Sequence, residues 1–182
     1  EDLYVALVAH SQAGNCLLKG NLNREEPLSA ESRQGMTNPS DSTQLLVLDL
    51  DFQEGWASVD EFLAALDPSL VDVSYIFQHS ASAGIKYEPG LRGHVYVIAD
   101  QPLPPSALKL WLKARNLQVL GLKSQLTLAA NGASLKWPLD ITTCQNDKLI
   151  YIAPPQCVGF SDPLEGQRFH LREKSKRAAR LQ

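Results

Sequence analysis

Apolar residues fall along the chain in short runs separated by polar or Pro/Gly-containing stretches. Residues 3–9 (Leu-Tyr-Val-Ala-Leu-Val-Ala) form a continuous β-compatible run and predict a buried strand. Residues 44–50 (Gln-Leu-Leu-Val-Leu-Asp-Leu) predict the clearest strand, closed by Asp51. Further strands are expected over 73–79, 94–99 and 148–152; in the second, His94, Tyr96 and Ile98 alternate against Val95, Val97 and Ala99. Two segments carry a helical period instead. Ser58-Val59-Asp60-Glu61 is a capping box that opens a helix with Phe62, Leu63, Ala65 and Leu66 apolar, stopping near Asp67-Pro68. Pro102, Pro104 and Pro105 lead into a helix over about 106–118 that sets Leu108, Trp111, Leu112 and Arg115 on one side. Residues 20–43 are polar and predict a long loop or weak helix, while the charged stretch after Pro163 predicts a helix. Strands sometimes adjacent and sometimes separated by a helix point to an α+β fold rather than a regular βαβ repeat.

Composition narrows the class. The chain has 182 residues, 44% hydrophobic and 20% charged, which excludes a disordered tail or a collagen-like fibre. The net charge of -3 excludes indiscriminate coating of nucleic acid by bulk charge. The charge is uneven, however: residues 1–72 carry 3 basic and 13 acidic side chains, and residues 73–182 carry 14 and 7. Cys16, Cys144 and Cys157 form no CxxC pair, so the expected compartment is a reducing cytoplasm. No apolar run approaches the ~20 residues needed to span a bilayer, and no membrane association is expected. The composition shift near residue 160 suggests a main domain over 1–160 and a basic helical tail or linker over 161–182.

Leu48-Asp49-Leu50-Asp51 is the strongest chemical feature. Side chains alternate along a strand, so Asp49 and Asp51 share a face with Cα atoms about 6.5–7 Å apart. Two carboxylates at that spacing can hold a hard cation such as Mg²⁺; the plainer reading is a strand running out into a solvated acidic turn. Ser80 to Gly84, Arg92-Gly93 and His94 would make an anion cradle of hydroxyls, backbone N–H groups and a guanidinium, or a surface loop with a histidine at a strand start. Asp140, in Trp137-Pro138-Leu139-Asp140-Ile141, is either a turn aspartate or a third carboxylate for two-metal chemistry. Lys123, Lys136 and Lys148 are further candidates for phosphate or template contacts.

In this order the three pieces resemble the archaeo-eukaryotic primase superfamily, and most of all the primase-like replication proteins of plasmids, phages and integrative elements. The matching residues are Leu-Asp-Leu-Asp at 48–51, Ser82-x-Gly84 through Arg92-Gly93-His94-Val95, and Pro138-Leu139-Asp140-Ile141, within about residues 44–155. The Arg-Gly-x-His element common in that family is shortened here to Arg-Gly-His, and the 85–91 stretch separates the serines from the histidine. The resemblance implies an RRM-like α+β core that performs template-directed nucleotidyl transfer on single-stranded DNA with an NTP or dNTP. Asp49, Asp51 and Asp140 would hold Mg²⁺ or Mn²⁺ in a two-metal site, and His94, Arg92 and Ser82 would contact the nucleotide. A helicase or a further domain of the same polypeptide is an implied partner. No zinc element can be built from Cys144, Cys157 and His170, each 13 residues from the next.

Other readings stay open. A hydrophobic strand ending in DxD also opens haloacid-dehalogenase-type phosphatases, but those carry Thr or Val where Gln53 stands and need a βαβ context. A DxD glycosyltransferase would leave His94 and Asp140 unexplained. A rolling-circle nuclease needs a histidine pair flanking one hydrophobic residue, which His10, His79, His94 and His170 do not supply. A non-catalytic replication-initiation module would bind DNA through the basic cluster Arg168, Arg172, Lys174, Lys176, Arg177 and Arg180.

Overall fold

The computed structural model describes residues 2–53, 55–86, 90–130 and 132–181. Residues 87–89, within the loop expected between Ser82 and His94, lie outside the described residues. The chain is α+β. Its main sheet is antiparallel, with β2 (Thr43–Gln53), β4 (Leu91–Leu103), β3 (Tyr75–His79) and β8 (Phe169–Arg172) side by side in that order. Helix α2 (Val59–Leu66) joins β2 to β3, and α3 (Pro105–Gln118) follows β4, so the central succession is βαββα. Beside the outer edge of β2, Leu139 forms a one-residue antiparallel bridge with Leu50.

Period-two alternation decides what each face of this sheet does. Leu46, Leu48, Leu50, Tyr75, Phe77, Val95 and Val97 point to one face. There they pack with Phe62, Leu63 and Leu66 of α2 and with Leu108, Trp111 and Leu112 of α3. The capping box forms as expected: Ser58 Oγ accepts from Glu61 N at 3.2 Å, while the Glu61 carboxylate accepts from Ala57 N at 2.8 Å. Asp67 ends α2 and ties it to α3. Its carboxylate accepts from Trp111 Nε1 at 3.0 Å and lies 3.4 Å from Arg115, whose guanidinium stacks over the Trp111 ring.

The opposite face is only partly covered. Val47, Ile76 and Tyr96 pack there with Leu7 of α1 (Asp2–Gln12) and with Ile150 and Ile152. Ile150 belongs to β7 (Leu149–Tyr151), which pairs antiparallel with β1 (Cys16–Leu18) in a small second sheet. A short hairpin of β5 (Thr127–Leu128) and β6 (Leu135–Lys136) and the one-turn helix α4 (Leu120–Lys123) complete the elements. Between β1 and β2 the chain runs without helix or strand apart from the bridge Leu22–Thr37. The buried Asn146 pins that segment through Nδ2 to the carbonyls of Asn38 and Asp41, at 2.8 and 2.9 Å.

Two expectations are corrected. Residues 3–9 are helix α1, not a strand: Leu3, Tyr4 and Leu7 recur three and four apart and face the core cluster, while Val5 is exposed. A run apolar all round hides its period, and only the packing reveals it. The segment after 161 is not a helical tail. Phe169 and Leu171 alternate with His170 and Arg172, and β8 pairs with β3 through Ile76–Leu171 and Gln78–Phe169. Beyond β8 the chain stays against the sheet through parallel bridges Val73–Lys176 and Ala99–Ala179. Two of the basic residues here are held inside the fold, Arg168 and Lys174, while Arg172, Lys176, Arg177 and Arg180 are exposed. The buried Arg168 donates from Nε and Nη2 to the two Asp162 oxygens, at 3.0 and 2.6 Å, and from Nη1 to Ser80 O at 2.6 Å. Those bonds hold the Asp162 carboxyl down at about 2. Arg172 and Lys174 both approach Asp60 of α2.

Candidate functional site

The acidic end of β2 lies on the less covered face. Asp49 and Asp51 follow Leu45 and Val47 in the alternation, so they stand on the side away from α2 and α3. The antiparallel register sets His94 of β4 directly opposite Asp49, and Arg92 directly opposite Asp51. His94 Nε2 lies 3.5 Å from Asp49 Oδ1, and Arg92 Nη2 lies 3.9 Å from Asp51 Oδ1. Arg92 Nη1 donates to Ser82 Oγ at 3.0 Å, and Ser82 Oγ is 3.3 Å from Ser80 Oγ. The strand register therefore sets Asp49, His94, Asp51 and Arg92 together, and Ser82 joins them from the turn after β3 through Arg92.

Asp140 joins them from a different direction. Leu139 is fully buried with the α2/α3 cluster and bridges Leu50, so the next side chain, Asp140, turns to the face of Asp49 and Asp51. Asn116 of α3 fixes that backbone. Its Oδ1 accepts from Leu139 N at 2.9 Å, and its Nδ2 donates to Leu139 O at 3.0 Å and to Leu112 O at 2.8 Å. Replacing Asn116 by Leu should leave both Leu139 groups unpaired in a dry interior. The expected cost is about 2–4 kcal/mol by urea unfolding, since each buried unpaired group costs roughly 1–3 kcal/mol. Asn116→Asp, which would set a buried carboxylate oxygen against the carbonyls of Leu139 and Leu112, should lose at least as much.

Gln78 of β3 orients the histidine. It is 2% exposed and its Nε2 donates to Tyr151 O at 3.0 Å, which fixes the amide. Gln78 Oε1 then accepts from Tyr96 Oη at 2.5 Å and from His94 Nδ1 at 3.2 Å. With the proton on Nδ1, His94 turns the lone pair of Nε2 toward Asp49. Burial, helped by the Lys148 ammonium, pushes His94 down to about 4, so the ring is neutral at physiological pH. Burial first, then the Asp140 charge, pushes the Asp49 carboxyl up to about 6; Lys148 opposes this and Asp51 adds to it. Burial beside Asp49 also holds the Tyr96 phenol well above its ordinary range.

Asp140 is differently placed. Its Oδ1 accepts from Thr142 N at 2.8 Å, capping the 3-10 turn Ile141–Cys144, and its Oδ2 accepts from Thr142 Oγ1 and Lys148 Nζ, each at 2.8 Å. Those bonds lower its carboxyl against the effect of burial. Of the three lysines noted in the sequence, it is Lys148 that meets the acids; Lys123 and Lys136 are exposed on α4 and β6.

The donor set can be tested against a divalent cation. Among the described residues, no three His, Cys, Asp or Glu side chains stand close enough together to hold a metal ion. Asp49 and Asp51 fit one as a pair: they are hard oxygen donors on one strand face, with mutual repulsion that a cation would relieve. The acceptor lone pair of His94 facing the Asp49 oxygen asks for a proton or a cation between them. As it stands Asp140 does not join, because its oxygens are engaged by Thr142 and Lys148.

Sequence reasoning missed Gln78 and Asn116. Gln78 left a trace, a lone amide in the apolar run Tyr75-Ile76-Phe77; Asn116 left none beyond a polar position on an otherwise amphipathic helix. Compared with protein-family models, with curated proteins and with solved structures, the chain has no match in any of the three.

Proposed function

We propose that this chain is a metal-dependent primase-polymerase domain that performs template-directed nucleotidyl transfer on single-stranded DNA in the replication of a plasmid, phage or other mobile element. The observation that carries the reading is the common face: Asp49, Asp51, Asp140 and His94, drawn from three separated motifs, meet on one side of a βαββα sheet. The succession β2-α2-β3-β4-α3 and the order β2-β4-β3 support the RRM-like core implied by the sequence resemblance, with β8 added beside β3.

In this reading Asp49 and Asp51 hold Mg²⁺ or Mn²⁺. When bound, the ion supplies positive charge to the attacking 3'-oxygen and to the α-phosphate. The chain's own groups do the rest by position and charge. Gln78 fixes the His94 ring so that the Nε2 lone pair faces Asp49, where it can accept a proton or join Asp49 as a ligand to the ion. Arg92, braced by Ser82, offers donors to a phosphate oxygen beside Asp51. Pyrophosphate leaves as the α-phosphate joins the primer.

The rivals fare less well. Phosphatases of the DxD type need parallel βαβ pairing, whereas every pair in the main sheet is antiparallel. A DNA-binding module acting through the basic C-terminus would lose Arg168, buried on Asp162, and Lys174, held by Asp60, and would rest on the exposed Arg172, Lys176, Arg177 and Arg180. The test is primer synthesis or extension by the purified chain on single-stranded DNA with NTPs or dNTPs and Mn²⁺. Labelled product that lengthens with template is expected. Metal-dependent hydrolysis of a phosphomonoester with no polymer formed would overturn the reading.

A further inference from the structure

We propose that Lys148 is a resident cation of this site, standing where a second divalent ion would otherwise stand, so that the chain binds one metal ion at Asp49 and Asp51 and uses an ammonium beside Asp140. The inference rests on the nucleotidyl-transfer reading of that face.

Asp140 carries the argument. A carboxylate that waits for a metal keeps its lone pairs open, but three of the roughly four lone-pair sites of Asp140 are taken inside the protein. One oxygen caps the 3-10 turn Ile141–Cys144 through Thr142 N, and the other accepts from Thr142 Oγ1 and Lys148 Nζ. Swinging toward Asp49 would uncap the turn and break the ion pair together. The ammonium is also held: Lys148 Nζ donates to Thr142 Oγ1 at 2.8 Å as well, and the Lys148 backbone is bound on both sides, N to Gln145 O at 3.2 Å and O from Lys19 N at 3.1 Å.

Charge counting agrees. Three carboxylates face two fixed cations here, Lys148 at 2.8 Å from Asp140 and Arg92 at 3.9 Å from Asp51. A single divalent ion more than offsets the charge that remains, so a second ion would enter a face that no longer attracts it. An ammonium at this position still serves the reaction, because it can donate to a phosphate oxygen while staying tied to Asp140.

Mn²⁺ binding followed by the electron paramagnetic resonance signal of the free ion reads this without any turnover. The nucleotide-free wild type should bind one Mn²⁺ per chain, lost in Asp49→Ala plus Asp51→Ala. Lys148→Met, which keeps the length and removes the charge, should bind two, and Lys148→Arg should stay at one. If wild type binds two, or if folded Lys148→Met stays at one, the resident-cation proposal is overturned while the Asp49–Asp51 site stands. Mn²⁺ binding indifferent to the Asp49 and Asp51 changes would instead overturn the metal reading on which it rests.

Discussion

Asp49→Asn should abolish polymer synthesis and at the same time make the metal-free protein more stable at neutral pH. The two effects have one cause. Asp49 is a half-buried carboxylate on the less covered sheet face, with Asp140 and Asp51 as like-charged neighbours, and its carboxyl is pushed up to about 6. The folded-state value lies above the ordinary 3.8, so ionised Asp49 opposes folding. Below pH 4 the carboxyl is protonated in both states and costs nothing. Between about 4 and 6 the unfolded chain ionises first and stability falls; above 6 the full penalty applies. A two-unit shift corresponds to about 3 kcal/mol, and the partial exposure of the side chain reduces this to about 1–2 kcal/mol by solvent screening. Asp49→Asn should therefore raise the melting temperature at pH 7.5 by about 3–6 °C in chelator and flatten its fall between pH 4 and 6. Mn²⁺ should stabilise wild type and leave the variant unmoved. Loss of a metal-holding carboxylate removes several kcal/mol of transition-state stabilisation, or about 1,000-fold in primer extension. A variant that loses stability yet retains synthesis would show Asp49 to be a structural acid.

What the sequence disclosed of this face follows from how local each feature is. Alternation within one strand is local, so the common face of Asp49 and Asp51 could be read from Leu48-Asp49-Leu50-Asp51 alone. The pairing of Asp49 with His94 and of Asp51 with Arg92 is not local. It depends on the β2–β4 register, in which a slip by one residue would turn every β4 side chain to the other face. Asp140 was legible as a candidate, but its engagement by Thr142 and Lys148 was not, since that depends on a 3-10 turn whose cap it provides. The helices α2 and α3 were legible because their apolar stripes are bordered by polar residues. Helix α1 was not, because Leu-Tyr-Val-Ala-Leu-Val-Ala is apolar on every side and the strand and helix periods fit it equally. The C-terminal segment was misread because its charge concealed the alternation of Phe169 and Leu171, which decides its structure.

Gly93→Ala should be the most damaging small substitution in the chain, although the residue makes no chemical contribution of its own. Gly93 lies between Arg92 and His94 on β4, opposite Leu50 on one side and His79 on the other, with φ +155°. A Cβ there would stand 2.0 Å from Gln78 O and 3.0 Å from the Phe77 ring. Both obstacles belong to β3, and the nearer is backbone, which cannot step aside without separating β3 from β4. Separation breaks the Gln78–His94 and His79–Gly93 pairings, withdraws the Gln78 amide from His94 and frees the Nδ1 proton that fixes the ring. Overpacking of this kind costs about 1–3 kcal/mol where side chains can yield and more where backbone must move. A loss of about 4 kcal/mol or more is expected by urea unfolding, with soluble expression sharply reduced. Gly132→Ala provides the control: its φ is +66° and a Cβ there meets nothing within 4 Å. It should cost only the left-handed backbone penalty of about 1 kcal/mol. Equal losses at the two positions would mean that conformation alone governs Gly93; a loss confined to Gly93 would mean that close strand approach builds the acidic face and aims the histidine across it.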